Sequence, residues 1–219
     1  MAERCVKVYS RFNRLWHWSQ AASIMALFFT GARIMGLHQI GSFGLAVTVH
    51  SLVAVALLLL WVFATFWLFT THGWTQFIPR LTGLFMVARY YTQGVFRGEE
   101  HPYAKTLERR HNPLQALAYF ALKMALFPAI WVTGLIYLGY ELWGGYDQAG
   151  LWLTVVANLH VLAAFAIGSF VIAHLYLLTL GHGFGRHVQP MLNGYDQIDL
   201  TPEEEAYLAQ KGLLRPACD

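Results

Sequence analysis

Two histidines lie fourteen residues apart in an apolar stretch that has no charged residue. The stretch 151–180 contains His160 and His174 but no Lys, Arg, Asp or Glu, and roughly 20 apolar residues suffice to cross a bilayer as a helix. Fourteen residues of helix correspond to roughly 21 Å along the axis and about 40° in azimuth. The two imidazoles therefore share one face, one toward each leaflet. This indicates two stacked haems that each need a second axial nitrogen from another helix.

The composition is that of an integral membrane protein. Of 219 residues, 57% are hydrophobic and 12% are charged, whereas a soluble domain averages about 25% charged residues. The net charge of +3 is too small to indicate a nucleic-acid partner. The two cysteines lie one near each terminus, without the CxxCH motif of c-type haem attachment. Any haem should therefore be bound non-covalently.

The apolar runs predict an all-α, up-and-down bundle of four transmembrane helices in a single membrane domain, residues 1–219. The basic start of the first run resembles a signal peptide, but the run is too long for one, so we expect it to be retained. Between the second and third runs, Arg80 and Arg89 interleave with apolar residues, as in an amphipathic helix on the cytoplasmic surface. The tail carries a capping-box pattern at Thr201. The predicted segments are TM1 (about 14–35), TM2 (about 43–70), the surface helix (about 76–96), TM3 (about 113–140), TM4 (about 151–180) and the cytoplasmic tail (182–219).

The distribution of Lys and Arg predicts the orientation. Four lie in residues 1–14, six in the connection 70–112 and three in the tail, whereas the connections 36–42 and 141–150 have none. Because cytoplasmic loops are enriched in Lys and Arg, both termini and the long connection should be cytoplasmic. The expected location is the inner (cytoplasmic) membrane of a cell, with several passes.

This topology places the transmembrane histidines at two depths. His50 and His160 should lie toward the outer face, and His17 and His174 toward the cytoplasmic face. The simplest interpretation is two haems b, each with two histidine ligands. The alternative is that the histidines form hydrogen bonds between helices. Another metal fits less well, because each depth offers only two imidazoles.

Two arginines are candidate partners of the haem propionates. Arg33 lies near the outer end of TM1, and Arg14, like Arg11, lies near its cytoplasmic end. Both are equally well explained as ordinary interfacial anchors. Gly31 should lie at the outer depth, where a porphyrin needs space, although small residues also serve close helix packing.

A polar stripe at the start of TM3 is a candidate quinone site. Asn112, Tyr119 and Lys123 lie within about 20° of one azimuth, and Gln115 about 60° away. Such a stripe could supply the hydrogen-bond donors and the proton route that a quinone needs. The same start is also a good helix cap by local physics, with Asn112 as N-cap, Pro113 at N1 and Gln115 at N3.

The pattern as a whole resembles one family. His17 in RLWHW, His50 in TM2, HNPLQ at the start of TM3, and His160 with His174 in TM4 are similar to the four-helix cytochrome b subunits of respiratory complexes. These include the gamma subunit of membrane-bound formate dehydrogenase and the cytochromes b of nickel–iron hydrogenases and of thiosulfate reductase. The resemblance covers about residues 8–190.

The resemblance implies which residues bind which group. His50 and His160 would bind the outer haem, and His17 and His174 the inner one. A menaquinone or ubiquinone would bind beside the inner haem, at the family's Asn and Gln, with His174 also forming part of the pocket wall. The family often has Tyr where this chain has His111, and it can have Lys where this chain has Ala116. These departures leave the proton donors open.

The resulting hypothesis is the membrane anchor and electron-transfer subunit of a respiratory oxidoreductase complex. Electrons would pass between a partner at the outer face and a quinone near the cytoplasmic face, with the substrate chemistry in another subunit. Expected partners are catalytic and iron–sulfur or cytochrome subunits, the quinone and the lipid bilayer. The alternatives are a stand-alone cytochrome b561-type quinone oxidoreductase and a haem-free structural anchor. The sequence assigns no role to five further histidines: His38, His72, His101, His182 and His187.

Overall fold

A computed structural model describes residues 2–99, 101–103, 105–107, 110–180, 183–215 and 218. His182 lies outside the described residues. The chain is mostly helical, and its contacts divide it into two compact units. The sheet unit comprises Met1–Leu15, His72–Phe120 and Ile172–Asp219, and the helix unit comprises Trp16–Thr71 and Ala121–Val171. The prediction of one membrane domain stays a prediction.

The described elements follow one another along the chain with short connections. They are β1 (Ala2–Lys7), α1 (Arg11–Ile34), α2 (Phe43–Thr70), α3 (Leu84–Arg89), α4 (Pro113–Ala121), α5 (Phe127–Leu138), α6 (Tyr140–Trp143), α7 (Ala149–Thr179), α8 (Phe184–Asn193), β2 (Tyr195–Leu200), α9 (Pro202–Gln210) and β3 (Leu214–Arg215).

Three helical segments of the described chain are long and apolar enough to cross a membrane: Phe43–Thr70, Pro113–Leu138 and Ala149–Thr179. Their apolar side chains are widely exposed. On α2, Leu52, Leu59 and Phe66, spaced by seven residues, are 66%, 64% and 65% exposed. Such a stripe is incompatible with water on that face and is what lipid requires. The protein is therefore a helical membrane protein. A fourth span by α1, which has 24 residues, stays a prediction.

The third apolar segment is not one regular helix. Between α4 and α5 the residues Leu122–Leu126 form a π-helical turn. Pro128 stands at the start of α5, and it has no N–H to donate to the carbonyl of Met124. A local widening of the helix is a common response to such a lost hydrogen bond.

The predicted surface helix is shorter than expected. A 3₁₀ turn covers Gly73–Phe77, and α3 begins only at Leu84. The reason is local: Pro79 disfavours helical backbone at the residue before it, and Gly83 has a left-handed φ of +81°. From Leu84 the chain stays helical, through a π turn at Tyr90–Gly94 and a 3₁₀ turn at Val95–Arg97.

The core of the helix unit joins three segments of the chain. Leu122, Phe127 and Ile167 are buried together. Trp131 of α5 packs against them, and its ring centroid lies 4.5 Å from that of Trp61 on α2. Large side chains thus fix α2, α5 and α7 of this unit against one another, and these contacts position the histidines described below.

The sheet unit contains a three-stranded antiparallel sheet in the order β2-β1-β3. Strand β1 pairs with β2 from Ala2↔Leu200 to Lys7↔Tyr195. The predicted capping box at Thr201 is confirmed: its side chain accepts from the Glu204 N–H, and the Glu204 carboxylate accepts from the Thr201 N–H. The buried residues of this core come from both strands, the segment after β1 and α9: Val6, Val8, Ile198, Leu200 and Leu208.

The prediction of an all-α chain omitted this sheet. Three of the six residues of β1 are charged: Glu3, Arg4 and Lys7. The strand therefore lacks the apolar alternation that would predict it from the sequence. Its partner β2 lies about 190 residues away, and only this long-range pairing makes β1 a strand. A disulfide joins Cys5 of β1 to Cys218.

Candidate functional site

His50 of α2 is held by a threonine of α1. Its Nδ1 lies 2.9 Å from the Thr30 hydroxyl oxygen. The Thr30 hydroxyl donates its own hydrogen to the Ala26 carbonyl, at 2.8 Å, so the oxygen must accept from the imidazole. We therefore assign the proton of neutral His50 to Nδ1. The lone pair on Nε2 remains available to a metal ion.

His160 of α7 is held in the same way by α5. Its Nδ1 lies 3.1 Å from the Thr133 hydroxyl oxygen and 3.1 Å from the Ile130 carbonyl oxygen. A carbonyl oxygen can only accept, so Nδ1 carries the proton here as well. Thr133 donates to the Ala129 carbonyl at 2.6 Å. His50 and His160 thus each carry the lone pair on Nε2.

The two imidazoles face one another at a distance that suits one iron atom between them. Their ring centroids are 6.3 Å apart, with 65° between the ring planes. Metal–nitrogen distances of about 2 Å, with roughly 1.1 Å from each nitrogen to its ring centre, put the centroids about 6.3 Å apart when one ion lies between them. The spacing and the tautomers of His50 and His160 therefore fit a pair of residues that would hold one haem iron between them.

A threonine–glycine pair supports each histidine. Gly31 follows Thr30, and a Cβ on it would lie 3.4 Å from Cε1 of His50. Gly134 follows Thr133, and a Cβ on it would lie 3.1 Å from Cε1 of the opposing imidazole, that of His160. The threonine orients the ring and the glycine leaves room for it. Of these four residues, sequence reasoning named only Gly31. The repeated Thr-Gly dipeptide, in FFTGAR and WVTGLI, was the available signal.

The second predicted pair is divided between the compact units. His17 of α1 belongs to the helix unit, where its ring meets the edge of Trp18 with 5.1 Å between centroids. His174 of α7 belongs to the sheet unit. The pairing of these two histidines at one haem stays a prediction.

Asn112 and Gln115 form a reciprocal cap at the start of α4. The Gln115 N–H donates to Oδ1 of Asn112 at 2.8 Å, and the Asn112 N–H donates to Oε1 of Gln115 at 3.2 Å. The predicted cap is thus confirmed. The remaining donor of Asn112, Nδ2, lies 3.1 Å from the Tyr91 hydroxyl. Asn112 is buried, and burial also raises the pKa of Tyr91, so Tyr91 stays a neutral phenol.

The other residues of the predicted stripe have different neighbours. Tyr119 of α4 lies in an aromatic cluster with His111 and Phe77, at centroid distances of 5.0 and 6.4 Å. Lys123 belongs to the helix unit, where its ammonium lies 4.4 Å from the ring centroid of Trp16. In the sheet unit, then, the structure places Asn112 and Gln115 together at the start of α4, with Tyr119 further along the same helix.

The two predicted propionate arginines each have a backbone partner. Arg33 donates from Nε to the Gly41 carbonyl at 3.1 Å, which closes the turn between α1 and α2. Arg14 donates from Nη1 to the Leu192 carbonyl. Its Nε is buried and has no hydrogen-bond partner among the described residues, so Arg14 retains a donor for an anionic group.

Comparison with known proteins assigns the chain to a family. The family model described as prokaryotic cytochrome b561 matches residues 8–194. A relative in Escherichia coli (strain K12), named "Putative cytochrome YdhU", is 32% identical over 207 residues, which cover 87% of this chain and 74% of the relative. No solved structure matches the chain. Together with its apolar helices, the match shows that the chain belongs to the prokaryotic cytochrome b561 family, as a membrane cytochrome that binds haem b and transfers electrons.

Proposed function

We propose that the protein binds two haems b in a four-helix membrane bundle and transfers electrons between a redox partner and a quinone. The observation that carries the proposal is the pair His50 and His160, with both Nδ1 protons bound and 6.3 Å between ring centroids. Haem b supplies reversible one-electron transfer when it is bound. The second haem would be held by His17 and His174.

The threonines have a defined role in this proposal. The hydroxyl oxygens of Thr30 and Thr133 accept hydrogen bonds from the Nδ1–H groups of His50 and His160. These bonds fix the orientation of each ring and raise the basicity of its Nε2. The unpartnered, buried Nε of Arg14 supports a contact with a haem propionate at the inner haem. Arg33, whose Nε is taken by Gly41, would contact the outer propionates through its terminal nitrogens.

The quinone would bind at the start of α4, near Asn112, Gln115 and Tyr119. What supports this position is that the buried amide of Asn112 donates to the Tyr91 phenol, and that a second phenol, Tyr119, lies further along α4 in the same unit. Quinone oxygens accept hydrogen bonds, and these groups are donors. Lys123, in the π turn that follows α4, is a further candidate donor to the quinone. Menaquinone and ubiquinone both meet the requirement.

The position in a complex follows from the charge distribution. With both termini and the 70–112 connection on the cytoplasmic side of an inner membrane, α3 would lie on that surface. Redox subunits would then dock at the outer face and carry the substrate chemistry. The rival, a stand-alone carrier of the b561 type, predicts no stoichiometric partner. Purification from mild detergent with quantification of co-purified subunits separates the two.

The test is a haem count with single histidine variants. The dithionite-reduced minus oxidised spectrum and a pyridine haemochrome assay should give about two haems b per chain. His50→Ala and His160→Ala should each remove the same haem, and His17→Ala and His174→Ala the other. His38→Ala is the matched control, because no haem is proposed at His38, whose described partners are Phe29 of α1 and the Ile40 N–H. One haem in the wild type, or loss of the same haem in all four variants, would contradict the proposed pairing.

A further inference from the structure

Three side chains connect the surface of the sheet unit to the candidate quinone site. His101 is exposed, Tyr91 is half-buried and Asn112 is 3% exposed. Nε2 of His101 lies 3.2 Å from the Tyr91 hydroxyl, and that hydroxyl lies 3.1 Å from Nδ2 of Asn112. The series runs from water to a buried amide without a gap, and all three residues belong to one compact unit.

His101 is held so that each of its protonation states has partners. With the proton on Nδ1, it donates to the Tyr103 carbonyl at 2.9 Å, and Nε2 accepts from the Tyr91 hydroxyl. With the proton on Nε2, it donates to the Tyr91 oxygen, and Nδ1 accepts from the Tyr103 N–H at 3.2 Å. The imidazolium donates on both sides. In each protonation state both ring nitrogens of His101 therefore keep a partner, and a proton gained, lost or moved exchanges only which backbone group of Tyr103 is bonded.

Tyr91 has the complementary property. Its oxygen accepts from Nδ2 of Asn112 and, when Nε2 of His101 is protonated, from His101 as well. Both lone pairs are then used, and the hydroxyl hydrogen is available to a third acceptor. A quinone oxygen beside Asn112 is the acceptor that the proposed function supplies.

The loop that carries His101 is fixed to the helix that carries Tyr91. The Arg89 guanidinium donates to both carboxylate oxygens of Glu99, at 2.9 and 2.8 Å. The rings of Tyr90 and Tyr91 meet the His101 ring edge-on, at centroid distances of 4.8 and 5.7 Å. Titratable and charged groups near His101 thus include Tyr90, Tyr91, Tyr103, and Glu99, whose carboxylate is paired with Arg89.

We propose that His101 and Tyr91 carry the protons exchanged between the bound quinone and water. The inference rests on the proposed quinone site. Reduction of one quinone takes two electrons, which bound haem b would supply one at a time, and two protons. For each proton, the Tyr91 O–H bond breaks as the proton moves to a quinone oxygen, and the His101 imidazolium gives its Nε2 proton to the Tyr91 oxygen while Nδ1 keeps its own proton. The neutral imidazole then takes a proton from the solvent. Quinol oxidation would run the same transfers in reverse, with the electrons passing to bound haem b.

The test follows haem reduction by decylubiquinol or a menaquinol analogue, in stopped flow, from pH 5 to 9. Proton transfer by a positioned group contributes about 10²–10⁴-fold, so Tyr91→Phe and His101→Gln should each slow the reaction at least tenfold. His101→Gln keeps a hydrogen-bonding group but carries no exchangeable charge, so it should also lose the wild-type rise in rate as the imidazole becomes neutral. Imidazole in the buffer should partly restore the rate of His101→Ala, because the site is exposed. His72→Asn, at another exposed histidine, is the control.

The outcomes separate the relay from the quinone site. Unchanged haem spectra with slow, pH-flat reduction in the Tyr91 and His101 variants would support the relay. Wild-type rates and pH profiles in Tyr91→Phe and His101→Gln would overturn it while leaving the quinone site intact. A wild-type protein whose haem is reduced by dithionite but not by any quinol would overturn both proposals. A rate loss in His101→Ala that imidazole does not restore, with His101→Gln at the wild-type rate, would show a structural role only and overturn the relay.

Discussion

The threonines that bind the imidazole Nδ1 protons should set the reduction potential of one haem. Replacing Thr30 or Thr133 by valine keeps the shape of the side chain and removes the oxygen that accepts from His50 or His160. That oxygen makes the ligand more basic and so favours the ferric ion. Its removal should therefore raise the midpoint potential of the haem held by this pair.

The size of the shift follows from the strength of the lost interaction. A neutral hydrogen bond of this kind contributes about 1 kcal/mol, and about 59 mV corresponds to a tenfold change for a one-electron couple. If the whole bond discriminated between the two oxidation states, the shift would be about 40 mV, so we expect roughly 20–40 mV for each single variant. The double variant should show roughly the sum, because each threonine is bonded to a different histidine.

The measurement is a spectroelectrochemical titration of each haem present in each variant. Thr30→Ser and Thr133→Ser keep the hydroxyl and should restore the wild-type potential. Thr48→Val makes the same substitution on α2 at an exposed hydroxyl that donates to the Gly44 carbonyl, and it should not change the potential. Equal shifts in Thr48→Val and Thr30→Val, or a shift of the haem bound by His17 and His174 instead, would refute the reasoning.

Three further predictions concern the two glycines, the capping box and the disulfide. Gly134→Ala should disturb the haem spectrum or occupancy more than Gly31→Ala, because the added Cβ meets its histidine at 3.1 Å instead of 3.4 Å and ordinary carbon contacts begin at about 3.5 Å; equal spectra in both would contradict this. Thr201→Ala should cost about 1 kcal/mol in the unfolding of the sheet unit and leave the haem spectrum unchanged, as measured by thermal melting followed by far-ultraviolet dichroism and Soret absorbance. Cys5 and Cys218 are 213 residues apart in sequence, so reduction of their disulfide should destabilise the sheet unit by at most roughly 5 kcal/mol, from the loss of the chain-entropy effect. Thermal melting with and without reductant measures this loss. Cys5→Ser is the control, because reductant should not change its melting.

The sequence predicted the parts of the molecule whose reasons are local. The apolar runs, the capping boxes at Asn112 and Thr201, and the position of His50 and His160 on long helices all follow from residues close in the chain. The breaks in the predicted helices also have local causes, Pro128 and Gly83. Both residue types are visible in the sequence as signals that interrupt a helix.

What the sequence did not predict depends on contacts between distant segments. The Thr-Gly pairs contact the histidines only because α1 packs beside α2 and α5 beside α7 in the helix unit. The sequence does not show these packing partners. The partnership of Tyr91 with His101 and Asn112 depends on how an irregular loop returns to its helix. These are also the places where function is argued, because ligand geometry is set by the second layer of contacts.

The disulfide and the charge distribution predict different compartments for the two termini. A stable disulfide is typical of an oxidising compartment, whereas the distribution of Lys and Arg predicts that both termini lie on the reducing, cytoplasmic side. Thirteen of the fifteen Lys and Arg lie in the two termini and the 70–112 connection, and this strong asymmetry favours cytoplasmic termini. The sheet also has contacts that do not involve the disulfide. Strand β1 is already fixed by six paired residues of β2 and by the buried side chains of Val6, Ile198 and Leu200. In cells the two cysteines should therefore be thiols that lie close enough to form the disulfide when they are oxidised.

Maleimide labelling of intact cells and of inverted membrane vesicles tests the orientation of the termini. Labelling of Cys5 only in the inverted vesicles supports cytoplasmic termini. Labelling only in intact cells would mean that the topology is reversed.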